Sequence, residues 1–206
     1  MLRTFFTETG VIMQIVIAST NHGKIAEINS IFEKFPRLNI NLKSLIDYQI
    51  IEPDEPYDTF IENARHKAKY YATQTKTAAL SEDAGLCIAA LDGFPGVRTK
   101  EFAQECCGVE KAFIKLEQML SGLNTAAYFK CAAALYLPEL DQFITNEAII
   151  NGHLVFPPRG NQGFAFDPIF IPQNYDKTMA ELGTTVKNKI SHRALAIYGL
   201  AEKLAL

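Results

Sequence analysis

The stretch IVIASTNHGKIAEI, beginning at Ile15, changes character halfway along. Apolar, largely β-branched residues give way to Ser19, Thr20, Asn21, His22, Gly23 and Lys24, and an apolar helical rhythm resumes at Ile25. A turn between a strand and a helix exposes backbone N–H groups without intrahelical partners at the positive end of the helix dipole. That is a natural anion site, and Lys24 adds a full charge within reach. The glycines and Lys-Ser/Thr pair of a P-loop are absent. Ser19, Thr20 and Asn21 equally suit a plain helix N-cap, so both roles stay open.

Carboxylates gather in two other places. Glu52, Asp54, Glu55 and Asp58 crowd one proline-punctuated loop, and Glu82 and Asp83 follow the apolar run Thr77–Leu80. Acids at two strand or loop ends suit Mg²⁺, which takes oxygen ligands, keeps several waters and shares itself with substrate phosphates. Glu52 and Asp54 read as solvated surface acids. Asp83 differs, because it precedes Ala84-Gly85, small residues that let a ligand approach closely. Near the C-terminus, VKNKISHRALA places Lys187, His192 and Arg193 around a helix start with Ser191 as its cap. Cations in a first turn oppose the helix dipole, and such opposition points toward function.

The elements that must position these groups follow from periodicity. A strand is expected at Gln14–Ala18 and a helix from Gly23 to Phe35, closed by Pro36. Thr59 and Glu62 have capping-box spacing, opening a helix with Phe60, Ala64, Ala68 and Tyr71 on its apolar stripe. A short strand at Thr77–Leu80 is followed by the turn GFPG at 93–96, a helix over 110–120, and strands from Tyr128 and Gln142. A third short strand is expected near Ile169–Ile171, and a last helix from Ser191 carries Ile197, Leu200, Ala201 and Leu204 inward. Helices alternate with strands at both ends around a meander-like middle. This pattern predicts an α/β fold with a mixed sheet.

At 206 residues the chain can bury a sizeable core. Its 48% apolar and 21% charged residues argue against disorder, and a net charge of −3 gives no long-range pull toward nucleic acid or anionic membrane. No apolar run reaches the ~18 residues that suggest a membrane span. Cys87, Cys106, Cys107 and Cys131 lack C-x-x-C spacing, so reduced thiols in a cytoplasmic protein are expected. Residues 1–12 read as an N-terminal extension ahead of Met13, and 13–206 as one domain or two closely joined lobes.

Taken in order, S-T-N-x-x-K, FIENA, D-A-G-L, GFPGV, GFAFDPIF and K-x-x-x-S-H-R resemble the inosine triphosphate pyrophosphatase family from about Gln14 onward. The resemblance implies a two-lobed α/β fold with an elongated mixed sheet and an active site in the cleft between lobes. It also implies Mg²⁺ dependence, a homodimer, and hydrolysis of ITP, dITP and XTP to the monophosphate and pyrophosphate. A pyrophosphatase with different or broad base preference, or a nucleotide-binding module without turnover, are the alternatives.

By the same resemblance, Ser19 through Lys24 would hold the triphosphate, and Glu55 and Asp83 would bind the metal. Asp83 would also act as base, with Lys67 facing the phosphates and Ala84 beside the substrate. Phe164, Ala165, Phe166 and Asp167 stand where that family has F-G-[YW]-D, so Phe166 would stack on the base. Lys187, His192 and Arg193 would recognise it. Four positions depart from the family pattern: Ala84 replaces Ser, Glu101 replaces Arg, Ala165 replaces Gly, and Phe166 replaces Tyr or Trp.

Overall fold

In the computed structural model, which describes residues 12–206, Ile15, Val16 and Ile17 are almost wholly buried because β1 (Met13–Ile17) has a neighbour on each side. Both neighbours are parallel to it. Ile15 lies opposite Leu42 of β2 (Ile40–Ser44) and Ala78 of β3 (Ala78–Ile88). Parallel neighbours require crossovers of a dozen or more residues. Here α1 (His22–Phe32) links β1 to β2, and α2 (Phe60–Thr75) precedes β3.

The sheet continues in the order β2-β1-β3-β4-β5-β6, through β4 (Ala126–Leu137), β5 (Gln142–Leu154) and β6 (Phe170–Pro172). β6 runs antiparallel to β5, so the sheet is mixed, as the alternation of elements predicts. The remaining helices are α3 (Thr99–Glu105), α4 (Val109–Met119), α5 (Met179–Ile190) and α6 (His192–Ala205). Among the described residues, no helix is long and apolar enough to cross a membrane.

The chain divides into two compact units. Among the described residues, the first holds 12–83, Cys131–Ala148 and Arg193–Leu206; the second holds Ala84–Lys130 and Ile149–His192. In the first, Phe60, Ala64, Ala68 and Tyr71 of α2 and Ile197, Leu200, Ala201 and Leu204 of α6 are all buried, as their spacing predicts. In the second, Leu86, Phe102, Phe113, Leu116, Phe166 and Phe170 anchor a separate core. The expected extension over residues 1–12 lies outside the described residues except for Ile12.

Several boundaries differ from expectation for physical reasons. α1 stops at Phe32 rather than Phe35, and Pro36 opens a 3₁₀ turn instead. β2 was not anticipated, although Ile40-Asn41-Leu42-Lys43 alternates at the strand period. α5 was also unexpected, yet Thr178 and Glu181 form a complete capping box. Gly183, at φ 78°, interrupts its helical rhythm and hides it from a periodicity reading. The largest difference is β3, which does not end at Leu80 but runs on through Ser81-Glu82-Asp83 to Ile88.

Candidate active site

The turn between β1 and α1 is built by its own side chains. Asn21 is the N-cap: its Oδ1 accepts from the Lys24 N–H at 3.1 Å, while its own N–H donates to Ser19 Oγ at 3.1 Å. A Cβ at Gly23 would crowd Asn21 Oδ1 at 3.2 Å, so the smallest residue fits there. Thr20, Asn21, His22 and Gly23 are exposed, which leaves the helix start open to an anion.

The continuation of β3 places Glu82 and Asp83 on opposite faces of the strand, since successive side chains alternate. Glu82 meets α1 and α6: its Oε1 lies 2.5 Å from Lys24 Nζ and 3.3 Å from Arg193 Nε. Arg193 Nη1 lies 3.4 Å from Glu27 Oε2 on α1, and Cys131 Sγ approaches Glu82 Oε2 at 3.6 Å. Asp83 meets α2 instead. Its Oδ1 lies 3.0 Å from Lys67 Nζ, and its Oδ2 accepts from Asn63 Nδ2 at 3.4 Å. The same Lys67 Nζ donates to Glu55 Oε1 at 2.6 Å, which draws the acidic loop onto α2.

These environments separate the two acids electrostatically. Burial would raise the Glu82 carboxyl, but Arg193, Lys24 and Lys67 outweigh it and hold Glu82 well below the usual carboxylate range. Burial also acts on Asp83, where Lys67 opposes it while Glu55 and Glu82 add to it. The result pushes Asp83 up to about 7. Burial would lower the Lys67 ammonium, yet Asp83, Glu55 and Glu82 together raise it above its ordinary value. The arrangement is one firm cation among acids, with one acid poised near neutrality, a pattern that marks functional sites.

Glu55 and Asp83 converge on one point, Lys67 Nζ, with oxygen donors that suit a hard cation. Among the described residues no group of three or more His, Cys, Asp or Glu could hold a metal. Any ion held by this pair therefore needs further ligands from water or phosphate, which is how Mg²⁺ is commonly bound.

In the second unit, Asp167 organises its own segment. It is buried, and its Oδ2 accepts from the Phe164 N–H at 2.8 Å and from Lys187 Nζ. A Cβ at Gly163 would collide with that carboxylate. Lys187 Nζ also sits 3.8 Å from the centroid of the Phe164 ring, a cation–π contact. His192 is stacked on Phe129 with ring centroids 4.7 Å apart. Ala165 holds the φ of 52° that glycine would take more easily, so its Cβ is accommodated at the cost of local strain. Glu101 stands in the first turn of α3, where an acid suits the helix dipole. Ala84, half-buried, directly follows Asp83.

Two of the residues expected at the base have protein partners of their own. Phe166, expected to offer its face to a purine, is 1% exposed and packs edge-on against Phe113 at 5.7 Å. The ring open to solvent in that segment is Phe164, at 38%. Arg193, expected as a donor to the base, pairs with Glu27 and Glu82 within the first unit. Sequence reasoning also missed Asn63, Glu27 and the ion-pair role of Glu82. Asn63 stands inside FIENA, one turn before Lys67, and that spacing was the available signal.

A parallel half-sheet whose first strand feeds a capped, exposed helix start, beside a lysine shared by the buried Asp83 and the half-buried Glu55, defines an α/β protein with an acidic centre next to an open helix start. The chain belongs to the Ham1 family, whose model matches residues 15–203. It is 38% identical over 189 residues to a dITP/XTP pyrophosphatase of Ruegeria pomeroyi, covering 89% of this chain and 91% of that protein. It is 37% identical over 202 residues to one from Bacillus anthracis, covering 93% and 96%. The structure of a HAM1 protein from Coxiella burnetii matches with a TM-score of 0.86 at 34% identity, covering 94% of this chain and 98% of that one. A nucleoside-triphosphatase / dITP/XTP pyrophosphatase from Mycobacterium abscessus matches with a TM-score of 0.74 at 32% identity, covering 91% and 97%. The family resemblance read from the ordered motifs is borne out.

Proposed function

We propose that the protein hydrolyses non-standard purine nucleoside triphosphates, namely ITP, dITP and XTP, to the monophosphate and pyrophosphate. The observation that carries this is the convergence of Glu55 and Asp83 on Lys67 in a chain whose relatives are named dITP/XTP pyrophosphatases. The phosphate roles fall to the Ser19–Lys24 turn, and the base-recognition roles to Phe164, Asp167, Lys187 and His192. Mg²⁺ held by Glu55 and Asp83 would neutralise charge on the phosphate oxygens.

Asp83, held between Lys67 and Asn63, would accept the proton of the attacking water. Lys67, held cationic between Glu55 and Asp83, keeps the Asp83 carboxylate oriented and stabilises its charge. Backbone N–H groups at the start of α1 and the Lys24 ammonium suit the charge that leaves with pyrophosphate. Lys187 offers a donor to the O6 of a 6-keto purine. The amino group of adenine would leave that donor unpaired, and such mismatches support discrimination of ~10⁴-fold.

A homodimer and a cytoplasmic location belong to the same proposal, supported by the family resemblance and the cysteine pattern; light scattering of the purified protein tests the first. The test of activity is pyrophosphate release from ITP, XTP, GTP and ATP, with Mg²⁺ and with chelator. Strong release from ITP and XTP that vanishes with chelator is expected. Equal efficiency on ATP would defeat the proposed specificity, and undiminished release in chelator would defeat the proposed metal.

A further inference from the structure

Glu55 sits on a segment without helix or strand, residues 48–59, and several of its neighbours there are exposed. A loop of that kind does not by itself keep a carboxylate 2.6 Å from a lysine on a helix. The tie is at Tyr57, two residues further on. Asn63, 1% exposed, accepts the Tyr57 N–H on Oδ1 at 3.0 Å and donates from Nδ2 to the Tyr57 carbonyl at 3.0 Å. Its Nδ2 also reaches Asp83 Oδ2 at 3.4 Å. One amide thus uses both its donors and its acceptor, gripping the backbone of one loop residue and the carboxylate on β3.

Asn63 and Lys67 are one helical turn apart and share a face of α2. Each contacts one oxygen of Asp83, and each contacts the acidic loop: Lys67 at the Glu55 carboxylate, Asn63 at the Tyr57 main chain. Lys67 binds by charge and would exchange partners when another cation or a phosphate arrives. The Asn63 contacts to Tyr57 are neutral and directional, so they persist through such an exchange.

We infer that Asn63 is a positioning residue that holds the Glu55 loop in register with Asp83 and thereby sets the affinity of this pair for a divalent cation. The inference rests on the metal role proposed above for Glu55 and Asp83. Removing a group that orients metal-binding side chains typically costs 10- to 100-fold in affinity or activity, about that much being expected here.

The test uses Mn²⁺ as the probe, read by its electron paramagnetic resonance signal in substrate-free protein, with hydrogen exchange followed across residues 50–58. Asn63→Ala should weaken Mn²⁺ binding by ~10-fold or more and speed exchange at the Tyr57 amide. In a Glu55→Gln background the same substitution should cause a much smaller further loss of affinity, because most of its effect passes through that loop and only its contact to Asp83 remains. Asn63→Ser, smaller but still polar, provides the same comparison should alanine fail to fold. Unchanged Mn²⁺ affinity in Asn63→Ala, or an equal further loss on top of Glu55→Gln, would overturn the inference while leaving the proposed activity standing. Wild-type protein that neither binds Mn²⁺ nor releases pyrophosphate would overturn both.

Discussion

Glu82 and Asp83, neighbours in sequence, serve opposite faces of β3: Glu82 Oε1 lies 2.5 Å from Lys24 Nζ, and Asp83 Oδ1 lies 3.0 Å from Lys67 Nζ. The alternation of a strand divides one acidic dipeptide into two jobs. Glu82 is saturated by Lys24 and Arg193 and stays ionised. Asp83 is the acid that can gain and lose a proton near neutrality.

Asp83→Asn should therefore lower kcat by at least ~10²-fold, the usual cost of losing a general acid or base. The side chain keeps its size and its place between Asn63 and Lys67, so the variant should fold, with a thermal midpoint no lower than that of metal-free wild type. Steady-state kinetics and a melting curve on the same preparation check this. Near-normal turnover would remove Asp83 from the chemistry.

The raised carboxyl of Asp83 also carries a stability signature in metal-free protein. Its unfolded value is near 3.8 and its folded value about 7. Between those two the folded chain holds a proton that the unfolded chain has released, so this group's contribution to stability falls as pH rises. Glu82, shifted the other way, loses its contribution only as pH falls below its unfolded value of 4.5. From pH 5 to 7, on the order of two pH units, Asp83 should dominate the difference between wild type and Asp83→Asn. Melting temperatures measured with chelator should converge toward low pH and diverge toward neutrality, with the asparagine variant gaining. Saturating Mg²⁺ should flatten the wild-type slope, because a bound cation favours the ionised carboxylate.

The turn before α1 separates capping from phosphate binding. Asn21→Ala removes the acceptor for the Lys24 N–H and should cost about 1 kcal/mol of stability, as lost N-caps do. Lys24→Ala leaves the cap intact and removes a charge that can meet phosphate. It should weaken triphosphate substrates far more than the monophosphate product. Calorimetric binding of both ligands to both variants distinguishes the roles. Equal weakening of the two ligands by Lys24→Ala would reduce Lys24 to a partner for Glu82.

How far the sequence carried these assignments depended on whether local pattern or long-range pairing decided the outcome. The stripe on α2, the inward face of α6 and the helix-start turn at 19–24 were legible, because each is a repeat or a cap within one element. Ser81-Glu82-Asp83 looked like a strand's end, because charged residues ordinarily terminate a buried run. Only Lys24 and Lys67 with Arg193, between 15 and more than 100 residues away in sequence, make a charged strand interior affordable. The ion pair of Arg193 was hidden for the same reason, since no pattern near residue 193 reveals Glu27. Phe164 and Phe166 share chemistry and neighbourhood, and only packing tells which ring is buried.

Those two phenylalanines provide the sharpest test of base recognition. Phe166 lies in the core of the second unit, edge-on to Phe113, whereas Phe164 is 38% exposed with Lys187 Nζ 3.8 Å from its ring centroid. Phe166→Ala should cost about 3–5 kcal/mol of stability, as large-to-small changes in a packed core do. Phe164→Ala buries and loses far less, so its melting temperature should stay near wild type. If its ring is the platform for the base, losing a stacking interaction of about 1–3 kcal/mol should raise the KM for ITP by roughly 10- to 100-fold. Because stacking is shared by all purines, ITP and XTP should both suffer, and the margin over ATP should persist. That margin should instead collapse in Lys187→Met, which removes the donor proposed for O6, and its ion pair with Asp167, while keeping the length of the side chain. The measurement is kcat/KM for ITP, XTP and ATP, paired with a melting curve for each variant. A stable Phe166→Ala protein with a raised KM, beside a kinetically silent Phe164→Ala, would return the stacking role to Phe166.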